Sequence, residues 1–313
     1  MLAYILYLGL LMELVLYSVS GVLLWQYGEL RPWLAVLMAL GLALGIRALI
    51  LVVMFWYAWI HRAERPAEMR IGFAEVMRLV LAEFSALLVL YGALQPLERW
   101  LRRHRHPQGN SHRSLPVLLI HGYFCNGAYW WALERYLQKR GIDNVFTINL
   151  EPVFGSIDQY AEQVADRVEQ LCALTGAQQV ILVGHSMGGL VARAYVHWFE
   201  GRHRVAKIIT LGSPHHGTES VRLSLVNGRN VRQMHRGSRW LAKLNAAENH
   251  PSPVPITSIH SYDDNLVVPH DSSVLNHDHA KNMAVAGVGH LAMAFSRRLR
   301  KLIYQEIVEV GGG

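Results

Sequence analysis

Three long apolar stretches, residues 2–25, 33–60 and 71–94, constrain this chain more than any other feature. The first two contain 24 and 28 positions, and a helix needs about 20 to cross the hydrocarbon core of a bilayer. The 313 residues as a whole are 52% hydrophobic and only 17% charged, which excludes disorder and exceeds the apolar share of an ordinary soluble domain. That excess is concentrated in the stretches. From Ser114 onward the composition is that of one globular domain, long enough to bury its own core. The expected organisation is a membrane segment of two or three helices over residues 1–98, a basic linker over 99–114, and a soluble domain over 115–313.

The opening MLAYILYL has no basic region and no small-residue cleavage site follows, so a retained helical hairpin is expected rather than a removable leader. Its turn, Gln26 to Pro32, is bracketed by Trp25, Tyr27 and Trp33, residues suited to the headgroup interface. Glu13 precedes Trp25 by 12 residues and Arg47 follows Trp33 by 14, depths of about 18 and 21 Å at 1.5 Å per residue. The two charges are expected to pair, since an unpaired one in the bilayer costs several kcal/mol; the alternative turns Glu13 toward a third helix or a partner subunit. Residues 71–94 are also long enough to cross. Glu75, Arg78 and Glu83 fall within roughly 140° of one helical face, however, which equally suits a helix lying in the interface.

With two crossings and the amino terminus inside, Arg62, Arg65, Arg70, Arg99, Arg102, Arg103, Arg105 and Arg113 all lie on the inner side and only Arg31 lies outside. These flanks account for much of the net charge of +7 as contacts with anionic lipid headgroups. No nucleic-acid module is recognisable, so nucleic acid is not an expected partner. Cys125 and Cys172 form neither a disulfide framework nor a metal-ligand spacing.

Past Leu115 short apolar runs alternate with helical stretches: LPVLLI, Ala128 to Arg140, NVFTINL, Ile157 to Leu174, QVILVG, Leu190 to Phe199, VAKIITLG. This alternation predicts a parallel sheet with helices on both faces and sites at the carboxyl ends of the strands. There QVILV runs into GHSMGG, where Gly184, Ser186 and Gly188 form GxSxG, and the amphipathic LVARAYVHWF follows. So sharp a turn tolerates a strained serine only among small neighbours, and it lifts Ser186 clear of the sheet over a helix amino terminus.

LPVLLIHGYFCNGAYW, GHSMGGLVARAY, TLGSPHHGT, DDNLVVP and GVGHL, in this order and spacing, resemble the lipase and esterase branch of the α/β-hydrolase superfamily, bacterial triacylglycerol lipases in particular, over about residues 115–305. The resemblance implies the α/β-hydrolase fold, a mostly parallel sheet flanked by helices, without the first antiparallel strands of larger members. It implies a triad in the order serine, acid, histidine. His290, after NMAVAGVG, matches the family's histidine; His277 and His279 precede that strand. Asp264, in the loop after the penultimate strand PITSIHS, fits the family's acid pattern best, with Asp263 second. The backbone amides of Met187, directly after Ser186, and of Tyr123 are the implied oxyanion donors. Cys125, in the same loop as Tyr123, is read as structural filler.

Between TLGSPHHGT and PITSIHS, about 214–254, a cap is expected. Its Val221, Leu223, Leu225, Val226, Trp240, Leu241 and Leu244 would line an acyl pocket, and its arginines would face lipid phosphate or solvent. His215, His216 and the HDH at 277–279 do not complete a metal-ligand set. The expectation is therefore an integral protein of a bacterial inner membrane, with its catalytic domain on the cytoplasmic side. It would cleave carboxylic esters of lipids through an acyl-enzyme, with no cofactor and with membrane lipids as its surroundings. An acyltransferase with the same triad and a non-catalytic membrane scaffold are the other readings.

Overall fold

The computed structural model describes residues 1–27, 31–103, 115–247 and 254–311. The expected hairpin turn lies partly outside them, at 28–30. So do the greater part of the linker, 104–114, and the end of the cap, 248–253.

Two helices, α1 (Leu2–Tyr27) and α2 (Pro32–Ile60), are long and apolar enough to span a membrane. Pro32 opens α2 at a position where its missing N–H costs nothing. The two pack on each other and are otherwise almost bare: of α1 only Leu2 and Ala3 are buried, of α2 only Ala35 and Leu51. Glu13 and Arg47 meet as expected, with guanidinium nitrogen and carboxylate oxygen 2.6 Å apart, while the same guanidinium donates to Ala43 O at 3.0 Å. The free ends of the hairpin lie against the soluble domain. The Met1 ammonium reaches Glu151, and the Tyr57 hydroxyl donates to Glu219 O at 3.3 Å.

The third stretch behaves differently. α3 (Phe73–Val89) continues into a wide turn over Leu90–Leu94 and a short α4 (Glu98–Arg103). Leu79, Glu83, Ala86 and Leu90 are buried, spaced four, three and four residues apart, which is one helical stripe. Ala86 and Leu90 belong to the same apolar cluster as the strands, and Glu83 lies on that stripe rather than on a polar face with Glu75 and Arg78, both of which are exposed. Helix α3 therefore packs on the soluble domain.

That domain is built on six parallel strands, β1 (Val117–Ile120), β2 (Val145–Ile148), β3 (Val180–His185), β4 (Val205–Leu211), β5 (Ile256–Ser261) and β6 (Ala280–Val285), in the order β2-β1-β3-β4-β5-β6. The central strands are runs of Val, Ile and Leu buried on both faces, as parallel strands covered by helices must be. On one face lie α6 (Ile157–Thr175) and α7 (Met187–Trp198); on the other lie α5 (Trp131–Gln138), α10 (Arg297–Gly311) and the end of α3. α6 begins at a reciprocal Ser156 and Gln159 cap and ends on left-handed Gly176. Two short cap helices, α8 (Arg229–Met234) and α9 (Arg239–Ala247), complete the chain. The strand order reverses at β1, which places a crevice at the carboxyl ends of β1 and β3.

Candidate active site

Ser186 sits in the turn from β3 to α7 at φ 54° and ψ −123°, a conformation that a side chain disfavours and that clusters at functional sites. Gly184 permits it, because a β-carbon there would lie 2.5 Å from Gly189 N and 2.6 Å from the Gly188 carbonyl. Ser186 N donates to Leu211 O at 2.9 Å, fastening the turn to β4. Met187 opens α7, so its N–H belongs to the first turn, where no intrahelical acceptor exists and the helix dipole favours negative charge.

The loop after β1 is held from several directions. His121 Nε2 accepts from Leu150 N at 3.1 Å, which leaves Nδ1–H to donate to Gly122 O at 2.9 Å. Tyr123 follows and lines the same cavity as Ser186, and Phe124 takes a φ of 51°. Asn126 then hydrogen-bonds Gln95 twice, its N–H to Oε1 and its side-chain amide to the Gln95 carbonyl, both at 2.9 Å.

His290 Nδ1 lies 2.9 Å from Asp264 Oδ2 and 3.1 Å from Oδ1. Asp264 Oδ1 also accepts from Leu266 N and Val267 N, each at 2.8 Å. A proton on Nδ1 is thereby committed to Asp264, and Nε2 is left able to accept. Burial opposes a charged imidazolium here, but the charge and hydrogen bond of Asp264 and the charge of Glu83 outweigh it, so the His290 pKa is raised. Asp263 points elsewhere: Arg65 lies 2.6 Å from its Oδ1, and its Oδ2 accepts from Gly287 N at 2.7 Å. His277 and His279 do not line the cavity. His215 and His216 are taken up with Thr210 and Arg193, and with Val274 O and Asn245.

Three contributors were not read as part of the site from the sequence. Glu83, fully buried, accepts from Leu291 N at 2.9 Å and Ala292 N at 2.8 Å, directly after His290. A β-carbon on Gly289 would come within 2.5 Å of that carboxylate. Burial raises the Glu83 pKa, against the pull of the two N–H donors. The signal was a lone carboxylate within the stripe Leu79, Ala86, Leu90. Gln95 is the second. His185 is the third: it stacks on Tyr129 with ring centroids 4.1 Å apart and lies 4.5 Å from the His290 ring. Burial pushes its pKa well down, so it stays neutral beside His290.

Ser186 and His290 line one cavity of about 410 Å³, within the range of small-molecule sites. Phe124 and Phe154 add aromatic wall, and the cap adds Val221, Leu223, Leu225 and Val226. Trp240, Leu241 and Leu244 do not reach it. Leu241 and Leu244 are buried in the main core, and Trp240 packs edge-on against Trp198. Of the cap arginines, Arg222 pairs with Glu219 at 2.8 Å. Met54 of α2 closes another side. Cys125 also borders the cavity, but burial pushes its thiol up to about 12, which makes it inert as a nucleophile.

Residues 116–230 match the family described as the alpha/beta hydrolase fold, and that match spans the serine turn between β3 and α7. The soluble domain has the α/β-hydrolase fold. This domain is similar to triacylglycerol lipases of Pseudarthrobacter phenanthrenivorans and Burkholderia plantarii. It is 40% identical to each over 113 residues, 33% of this chain and 34% and 30% of theirs. The chain thus spans about a third of the length of those relatives. Among solved structures, Aspergillus fumigatus lipase B superposes with a TM-score of 0.57 at 18% identity, covering 64% of this chain and 55% of that one.

Proposed function

We propose that the chain is a membrane-anchored serine hydrolase that cleaves carboxylic esters of lipids. In this reading Ser186 attacks the ester carbonyl and its proton passes to His290 Nε2. Asp264 holds His290 in the required tautomer and stabilises the imidazolium that forms. The N–H groups of Tyr123 and Met187 take the developing oxyanion. The alcohol leaves with the proton returned from His290, and water then frees the acid from the acyl-enzyme by the same relay. The observation that carries this reading is the Asp264–His290 pair at 2.9 Å, its imidazole lining the same apolar cavity as a strained serine.

The choice of a lipid rather than a small polar ester rests on the cavity wall. It is apolar, and one side of it is Met54, a residue of a helix long and apolar enough to cross a bilayer. Substrate would enter from the membrane. Both free ends of the α1–α2 hairpin touch the hydrolase domain, which fits two crossings with the amino terminus and the domain on one side. The basic flanks favour the cytoplasmic side of an inner membrane. The division that follows is a membrane hairpin over 1–60 and a hydrolase unit from about 73 onward, with α3 part of it.

The test is hydrolysis of p-nitrophenyl esters of graded chain length by the purified protein beside Ser186→Ala with an unchanged circular dichroism spectrum. Turnover should fall by at least about 10³-fold in the variant and should favour longer acyl chains. Equal turnover by both proteins would remove Ser186 from the reaction.

A further inference from the structure

A second cavity, of about 760 Å³, lies between α2, α3 and the loop that carries Asp264. Tyr262, Asp263 and Asp264 border it, while Ser186 and His290 do not, and Leu266 and Val267 of the same loop border the serine's cavity instead. The loop thus separates two chambers. On α2 the second is lined by Ala48, Leu51, Phe55 and Ala58, which recur every three or four residues and so trace one face of the helix, and Arg62 lines it just past the helix end at Ile60. From α3 it takes Leu79, Val80 and Phe84. From Ala48 to the helix end at Ile60 the rise is about 18 Å, while one leaflet's hydrocarbon is about 15 Å deep, half of the core. A chain of methylenes lying in this groove would therefore end below Arg62.

The polar end of the groove is basic. Arg62, Arg65 and Arg70 line an adjoining space of about 710 Å³ together with Glu64. Arg65 is held by Asp263 at 2.6 Å. Arg62 and Arg70 are exposed, and among the described residues neither is in an ion pair. Arg62 lies over the ring of Trp59, 5.1 Å from its centroid, which places an aromatic of interfacial type beneath a cation. Guanidinium groups bind phosphate through paired N–H donors. The groove therefore offers an apolar slot one leaflet deep, with two uncommitted arginines at headgroup level.

We infer that this groove is a binding site for an anionic glycerophospholipid, with an acyl chain between α2 and α3 and the phosphate between Arg62 and Arg70, separate from the chamber that takes the ester to be cleaved. The inference rests on reading α1 and α2 as a membrane hairpin. A lipid seated there packs against Tyr262 and Asp263. Asp263 in turn holds Gly287 N on the strand exit that leads to His290, so the bound lipid buttresses the acid and histidine loops without entering the reaction.

The full chain carrying Ser186→Ala, which removes turnover, is purified in detergent. It is titrated with phosphatidylglycerol or phosphatidylcholine, and adducts are counted by native mass spectrometry. Phosphatidylglycerol should bind at least about tenfold more tightly than phosphatidylcholine. Arg62→Gln with Arg70→Gln should abolish that preference, the loss expected for charge-assisted pairs. Arg62→Lys with Arg70→Lys should keep part of it, which separates a charge effect from misfolding. Ala58→Phe, which fills the slot, should weaken both lipids, and inorganic phosphate should not compete. Equal affinity for the two lipids, an unchanged preference in the Gln double variant, undiminished binding by Ala58→Phe, or displacement by inorganic phosphate overturns the site. Release of the chain from membranes by alkaline carbonate would instead overturn the hairpin reading, an outcome distinct from failure of the site.

Discussion

His290 carries the most direct pH consequence. Its folded pKa is raised chiefly because Asp264 and Glu83 outweigh burial, and in the proposed mechanism only the neutral imidazole can take the serine proton. The acid limb of kcat/KM should therefore have its midpoint above the ordinary histidine value of about 6.5. Glu83→Gln and Asp264→Asn should each move it down, and an unmoved limb in both would detach these carboxylates from the histidine. For stability the sign is the reverse of the activity: the raised pKa stabilises the folded state below the unfolded value, and that contribution is lost as pH rises through the folded one. Glu83→Ala should also strand the N–H groups of Leu291 and Ala292, at about 1–3 kcal/mol for each buried donor left unpaired. The loss should appear in kcat more than in KM, because Glu83 does not border the serine's cavity. Glutamine, which keeps an acceptor, should recover part of it. Asp263 and Asp264 show why adjacent residues cannot share a role: one faces Arg65, the other His290.

Helix α10 is pinned to the sheet by Glu306. Its carboxylate bonds Lys207 and Lys281 at 2.7 Å and Thr257 at 2.6 Å. Burial alone would raise its pKa, but these three partners bring it down to about 2. A depressed carboxylate stabilises the fold above its unfolded value, and that contribution fades as pH falls toward 2. Glu306→Ala leaves Lys207 buried without its main partner and should cost about 3–5 kcal/mol in urea unfolding. Within the hairpin, Arg47→Leu alone should lower the yield of folded protein in membranes and Glu13→Leu should partly restore it, since two apolar side chains satisfy each other where one charge cannot. Independent effects of the two changes would argue against their pairing. Helix α3 was the element whose place the pattern left open, crossing or interfacial. A 3.6-residue stripe is the same whether it meets lipid, an interface or a protein core, so only its neighbours could decide.

The molecule joins a bare apolar hairpin to a domain of α/β-hydrolase fold whose two key loops are held by residues preceding the first strand. Glu83 holds the histidine loop, Gln95 holds the loop after β1, and Glu98 bonds Asn149, which in turn takes Gly127 N at 2.8 Å. Deleting residues 1–66 should therefore leave a folded domain, whereas deleting 1–98 should strip these three side chains and uncover the strand-side cluster that includes Leu90. Circular dichroism melting of the two truncations would show it, with the longer deletion melting lower or not folding. Equal melting would make α3 an ornament. The amino-acid order was sufficient for the alternating strands and helices and the serine turn, because each is written in a short window: hydrophobic period, small residues around a sharp turn. The candidate histidine and acid came from the family resemblance, which left Asp263 beside Asp264. The matching depths of Glu13 and Arg47 were equally legible, since a hairpin preserves distance from its turn. Folding alone decided that Glu83 would reach a loop 208 residues away, that Asp263 would face Arg65, and that Met54 would wall the serine's cavity. Those contacts depend on how packed surfaces meet, and a side chain's local pattern is the same whatever surface arrives to cover it.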